Sequence, residues 1–157
     1  MALLGEYRAA RHLEEIARLR RAYSLRAMVA EGRSQREVAD ELGISQPAVS
    51  QQLKVAESVS DAHPRDAVEA AGPVLVDLAA AYGFGRLAVF GSVARGEATT
   101  ESDIDLLVQP PTGATIGDIV GLQDRLSSTL GRPVDLVTYG GLRQGIDADI
   151  LRDAVEF

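Results

Sequence analysis

Cysteine is absent from the chain. That excludes disulfides and any thiolate metal site. Lysine is almost absent as well: Lys54 is the only one among sixteen basic residues. Anion binding beyond that point must therefore fall to arginine, backbone amides or a metal ion. The two histidines, His12 and His63, have no neighbours at metal-ligand spacing and read as surface residues. No apolar run approaches the ~18 residues of a membrane span. No secretory pattern precedes the first expected helix, so a cytoplasmic protein without a membrane partner is expected. The net charge of −7 argues against a protein that coats nucleic acid uniformly.

What is present divides in two. At 157 residues and 46% hydrophobic, the chain suits one domain or two small ones. Residues 1–56 hold nine basic and seven acidic residues, whereas residues 57–157 hold seven basic and sixteen acidic ones. Such asymmetry suggests two jobs. Residues 6–31 read as a helix rich in Ala, Arg, Leu and Glu. Leu13, Ile16, Leu19 and Tyr23 form its apolar stripe. Its arginines form a solvated face, with phosphate contact by a subset as the sharper alternative. Gly32 ends it. Ser34 and Glu37 form a capping box that opens a second helix, with Val38, Ala39 and Leu42 inward. Gly43-Ile44-Ser45 makes a tight turn with Ile44 as a core plug. A third helix follows, with Pro47 in its first turn. Arg33 to Lys54 resembles the helix-turn-helix of bacterial repressors and MarR-like modules. Gln46, Ser50, Gln51 and Lys54 are the candidate DNA-binding residues on the outer face of the third helix. Glutamine can pair bidentately with adenine, and Ser and Lys can reach phosphates or bases. The plainer reading is a three-helix packing unit. Paired half-sites would imply a homodimer.

Residues 57–64 are polar, end in Pro64 and read as a linker. Residues 65–82 read as a helix interrupted or started near Gly72-Pro73. Strands are expected at 87–90, 103–109 and 134–139, with a helix over 116–130 between the second and third. A last helix is expected over 142–155, with Asp147, Asp149 and Asp153 on a solvated face.

One stretch organises the second half: Phe90-Gly91-Ser92-Val93-Ala94-Arg95-Gly96, then Ser102-Asp103-Ile104-Asp105-Leu106. Gly91 lets the backbone approach a ligand, and Ser92 can cap a helix or offer its hydroxyl to an anion. A helix N-terminus there would suit phosphate. Asp103 and Asp105, at i and i+2 of a strand, point to one face, with Ile104, Leu106 and Val108 to the other. At about 4 Å and an effective dielectric of about 20, two carboxylates repel by roughly 4 kcal/mol. Mg²⁺, which takes one or two carboxylates plus substrate phosphates, would cancel that repulsion. Asp135 is a lone acid in the next apolar strand. Set beside the second strand, it would bring a third carboxylate to the pair.

The Gly91-Ser92 turn followed by Asp103-x-Asp105 resembles the signature of the polymerase-β-like nucleotidyltransferase superfamily, and its minimal members in particular. The resemblance covers roughly residues 70–139. It implies an α+β chain: an all-α helix-turn-helix domain over 1–58, a linker over 59–64, and a minimal nucleotidyltransferase domain with a mixed sheet over 65–157. It implies further that Gly91 and Ser92 bind the nucleotide and that Asp103, Asp105 and Asp135 hold two Mg²⁺ ions. ATP would be the substrate. Asp135 would also take the proton of the attacking hydroxyl. Arg95 is the cation expected to stabilise transition-state charge, with a surface pair to Glu97 or Glu101 as the alternative. With 22 residues after Asp135, the acceptor is expected from a partner. Minimal members pair with HEPN toxins, so the resemblance implies an antitoxin that transfers AMP to such a toxin and represses its own operon at operator DNA. The alternatives are a DNA-binding regulator that binds nucleotide or a partner without catalysis, and a small-molecule (antibiotic) nucleotidyltransferase.

Overall fold

The computed structural model describes residues 1–157. Three helices come first: α1 (Ala2–Ala30), α2 (Gln35–Leu42) and α3 (Gln46–Ala56). The Ser34–Glu37 capping box starts α2, and Gly43, at φ 67, ends it in the left-handed conformation that a side chain resists. The Ser45 hydroxyl accepts from Ala48 N–H to start α3. A small core of Leu25, Val38, Ala39 and Val49, flanked by Met28 and Leu53, holds the three together.

Helix α4 (Pro64–Ala81) leads into β1 (Gly85–Phe90) and the single turn α5 (Gly91–Ala94). Strand β2 (Ile104–Gln109), helix α6 (Ile116–Leu130) and strand β3 (Val134–Thr138) follow. The short α7 (Ala148–Asp153) and β4 (Val155–Glu156) close the chain. The sheet order is β3-β2-β1-β4. It is mixed: β1 runs antiparallel to β2 and β4, and β2 and β3 run parallel across the α6 crossover. Alternate residues face α4 and α6: Leu87 and Val89, Ile104, Leu106 and Val108, Val134 and Leu136. Ala88, Phe90 and Leu107 face the other way, under Val137, Tyr139, Leu142 and Ile150. Helix α6 matches its expected bounds because both ends are written locally. Thr115 and Asp118 form a capping box, and Gly131 at φ 68 terminates the helix. No helix is long and apolar enough to cross a membrane.

Several expectations need correction. Helix α4 runs unbroken through Pro73. Proline removes the N–H that would have met the Glu69 carbonyl. Arg20 supplies donors instead, from Nη2 to Glu69 O at 3.3 Å and from Nε to Ala70 O at 2.9 Å. The stretch read as a linker is ordered: residues 57–61 form a 3-10 turn with Val59 buried, and His63 Nδ1 accepts from Arg65 N–H to cap α4. Helix α1 is not confined to the helical module, since Ile16, Leu19 and Tyr23 lie in one core with α4, α6 and the sheet. Two of its arginines are structural. Arg20 serves α4, and Arg26 donates to the carbonyls of Ser128 and Thr129 at the end of α6. Leu13, Leu42 and Ile44, expected inside, are 64%, 46% and 37% exposed. The last expected helix shrinks to α7, and β4 replaces its end. Asp149 is exposed as expected, whereas Asp147 and Asp153 are partly buried in ion pairs. Asp147 accepts from Arg143 and Asp153 from Arg95 and Arg152.

Candidate active site

The site is assembled where β1 ends beside the start of β2. Phe90 is the register partner of Asp105, and Asp105 is in turn the register partner of Asp135 on β3. Adjacent strands lie about 4.8 Å apart, so the two carboxylates leave the same sheet face as neighbours. That face is the one away from α4 and α6. Asp103 sits one residue ahead of β2, exposed and outside the ladder, on the same side as Asp105 by the two-residue repeat. The parallel placement of β3 that the lone Asp135 suggested is thus what the fold has.

Gly91 is built into this arrangement. Its φ is +70, and a Cβ there would meet the Asp105 side chain, with Cγ at 3.0 Å, Cβ at 3.3 Å and Oδ2 nearer still. The turn therefore lies directly against the carboxylate, and only glycine permits both the conformation and the approach. Ser92 is half-buried, but it does not cap α5; Phe90 holds the N-cap position without a side-chain bond. With four residues, α5 offers little dipole. The candidate phosphate contact rests on the Ser92 hydroxyl and the closeness of Gly91.

Asp105 is the electrostatic centre. Burial, then repulsion from Asp135 and Asp103, pushes its carboxyl above the ordinary range, and Arg95 pulls the other way. Arg95 is engaged within the chain. Its Nε donates to Glu97 at 3.0 Å and its Nη1 to Asp153 at 3.5 Å. The surface pair with Glu97, the alternative role for Arg95, is present, and the Glu101 pair is not. Asp153 is a contributor that sequence reasoning missed. It anchors Arg95 from α7, and only the path of residues 139–154 back over the sheet could have revealed it.

No three His, Asp or Glu side chains lie together as a group that could hold a metal ion. Asp105 and Asp135 are nonetheless adjacent hard oxygen donors across the ladder, with Asp103 exposed just before β2. That suits Mg²⁺, which retains waters and substrate phosphates among its ligands.

Comparison with known proteins converges on this half of the molecule. Residues 78–156 match the nucleotidyltransferase domain family, leaving residues 1–77 outside the match. The protein adenylyltransferase MntA of Thermococcus cleftensis is 38% identical over 74 residues, 47% of this chain and 75% of that one. A candidate protein adenylyltransferase of Methanocaldococcus jannaschii is 39% identical over 75 residues, 48% of this chain and 81% of that one. A solved structure of a candidate minimal nucleotidyltransferase is 39% identical, with a TM-score of 0.54 over 59% of this chain and 95% of the other. The mixed sheet, the glycine turn against Asp105 and these likenesses agree, and the chain belongs to the nucleotidyltransferase domain family.

Proposed function

We propose that this nucleotidyltransferase moves AMP from ATP to a hydroxyl on a partner protein. The observation that carries the reading is the in-register pair Asp105–Asp135, with Asp103 alongside, facing a turn that only glycine can make. The names of the relatives, protein adenylyltransferases, supply the substrate class. In this reading the acceptor oxygen attacks the α-phosphorus. A new P–O bond forms, the bond to the β-phosphate oxygen breaks, and pyrophosphate leaves. Asp135, the exposed member of the strand pair, accepts the hydroxyl proton. Gly91 and Ser92 hold the distal phosphates. Arg95, on release from Glu97, meets developing charge on the phosphates. Asp103, Asp105 and Asp135 would hold Mg²⁺, which supplies charge neutralisation for the entering and leaving oxygens.

The N-terminal helices carry a second proposed role. Their layout supports DNA binding: two capped helices joined by a left-handed glycine turn, with Gln46, Gln51 and Lys54 exposed and Ser50 partly so on α3. An antitoxin that represses its own operon, with a HEPN toxin as the AMP acceptor, joins both roles. A regulator that binds nucleotide without turnover is the competing reading. Label transfer separates them. Incubation with α-labelled ATP, Mg²⁺ and the product of the adjacent gene should label that product, and Asp103→Asn with Asp105→Asn should abolish the label. Nucleotide binding with no transfer to the partner would reject the enzymatic reading in favour of the sensor.

A further inference from the structure

One face of α1 is exposed over its first half and meets the chain only at its far end, where Met28 lies against the core shared with α2 and α3. Positions 3, 7, 10, 14, 17, 21, 24 and 28 advance by alternating steps of four and three, the spacing of a seam between two helices. Leu3, Tyr7 and Met28 are its large apolar members, and Leu3 and Tyr7 are 77% and 64% exposed. Ala10, Ala17 and Ser24 are small, which lets two backbones approach. The remaining two positions carry opposite charges, Glu14 and Arg21, and neither has an ion-pair partner. Residues 1–15 are all exposed, and the first buried residue of α1 is Ile16. A free-standing helix of this length is marginal in water, so the fold calls for something to lie against it.

The same face is concave further along. A groove of about 450 Å³ runs along Ala17, Arg21, Ser24 and Met28 to Leu42. Leu42 is 46% exposed at its rim. The seam thus has an apolar projection at one end, an apolar recess at the other, and a negative and a positive charge between them. Such a surface complements itself only when reversed. A parallel pairing in register would set Glu14 against Glu14 and Arg21 against Arg21. In an antiparallel pairing, placing 14 opposite 21 also places 7 opposite 28, while the small residues Ala10, Ala17 and Ser24 fall opposite the flanking positions 25, 18 and 11.

We propose that α1 pairs antiparallel with α1 of a second copy, each Glu14 facing the other copy's Arg21 and each Tyr7 entering the other copy's recess at Met28 and Leu42. Ala17 then lies beside the two-fold axis, and the interface is isologous. It uses no residue of the nucleotidyl-transfer site and stands independently of that reading.

Sedimentation of the full chain tests it. The wild type should be a dimer at micromolar concentration. Glu14→Arg and Arg21→Glu should each weaken the dimer by at least about tenfold, because each turns two attractive contacts into repulsive ones. The double variant should return to within about threefold of wild type. Circular dichroism confirms that each variant folds. A wild type that stays monomeric across the micromolar range overturns the proposal. So does a dimer indifferent to the single reversals, which places the interface elsewhere, or a double variant no tighter than the singles.

Discussion

Gly91→Ala tests whether the glycine turn and Asp105 form one unit. At φ +70 an L-residue costs about 1–2 kcal/mol relative to glycine. The added methyl would also meet Asp105 Cγ at 3.0 Å and Cβ at 3.3 Å. Turning the carboxyl aside moves only its oxygens, so the side chain or the strand must shift, a repacking worth about 1–3 kcal/mol. The sum, about 2–5 kcal/mol, lowers the melting temperature of a chain this size by roughly 4–20 °C. The carboxylate must retreat by roughly 1 Å, a displacement that costs on the order of 100-fold in transfer rate. Thermal unfolding read by circular dichroism, with label transfer from ATP alongside, measures both. A double-mutant cycle isolates the contact. In an Asp105→Ala background Cγ and the oxygens are gone, so Gly91→Ala should cost only the conformational share, leaving a coupling of about 1–3 kcal/mol. Additivity within about 0.5 kcal/mol, or a Gly91→Ala protein as active as wild type, would refute the reasoning.

Asp105 also predicts a pH dependence. Its folded carboxyl binds a proton more tightly than its unfolded one, because burial and the Asp135 and Asp103 charges disfavour ionisation. Its contribution is therefore neutral at low pH, turns destabilising as pH rises through the ordinary carboxylate range, and levels off above the raised folded value. Asp105→Asn should melt higher than wild type at pH 7, with the gap closing towards pH 3. A variant less stable than wild type at pH 7 would contradict this. Arg20→Ala should destabilise the chain by about 1–3 kcal/mol, since two helix carbonyls lose charged donors. In a Pro73→Ala background, where the backbone N–H returns, urea unfolding should show a smaller loss. Lys54→Ala should weaken DNA binding across sequences and lower the salt-dependence slope by about one. A slope unchanged in titrations over salt would remove Lys54 from the phosphate contacts.

The legible parts of the molecule were those whose causes are local. Thr115, Asp118 and Gly131 bracket α6 within seventeen residues, so its bounds could be read directly. The Gly91 turn and the alternation of Asp103 and Asp105 with Ile104, Leu106 and Val108 are equally local, which is why the candidate site was visible first. Long-range partners hid the rest. Pro73 reads as a helix breaker until Arg20, fifty-odd positions earlier, is seen against the freed carbonyls. Residues 142–155 have helical composition, but Val155 is drawn to the edge of β1, and Asp147 and Asp153 are taken up by Arg143 and Arg95. Leu13 and Leu42 fit inward stripes by period alone, and nothing in a period says which side of a helix has a neighbour.

Helix α1 enters two cores. Ile16, Leu19 and Tyr23 lock it to the sheet domain, and Leu25, with Met28 beside it, locks it to α2 and α3. The two halves are therefore joined by a common axle rather than a tether. Through Arg20 at α4 and Arg26 at the end of α6, the same rod would carry a displacement of α3 to both helices. Were the sheet side to shift, the displacement would have a continuous packed route to the helical module, and the same route would run back.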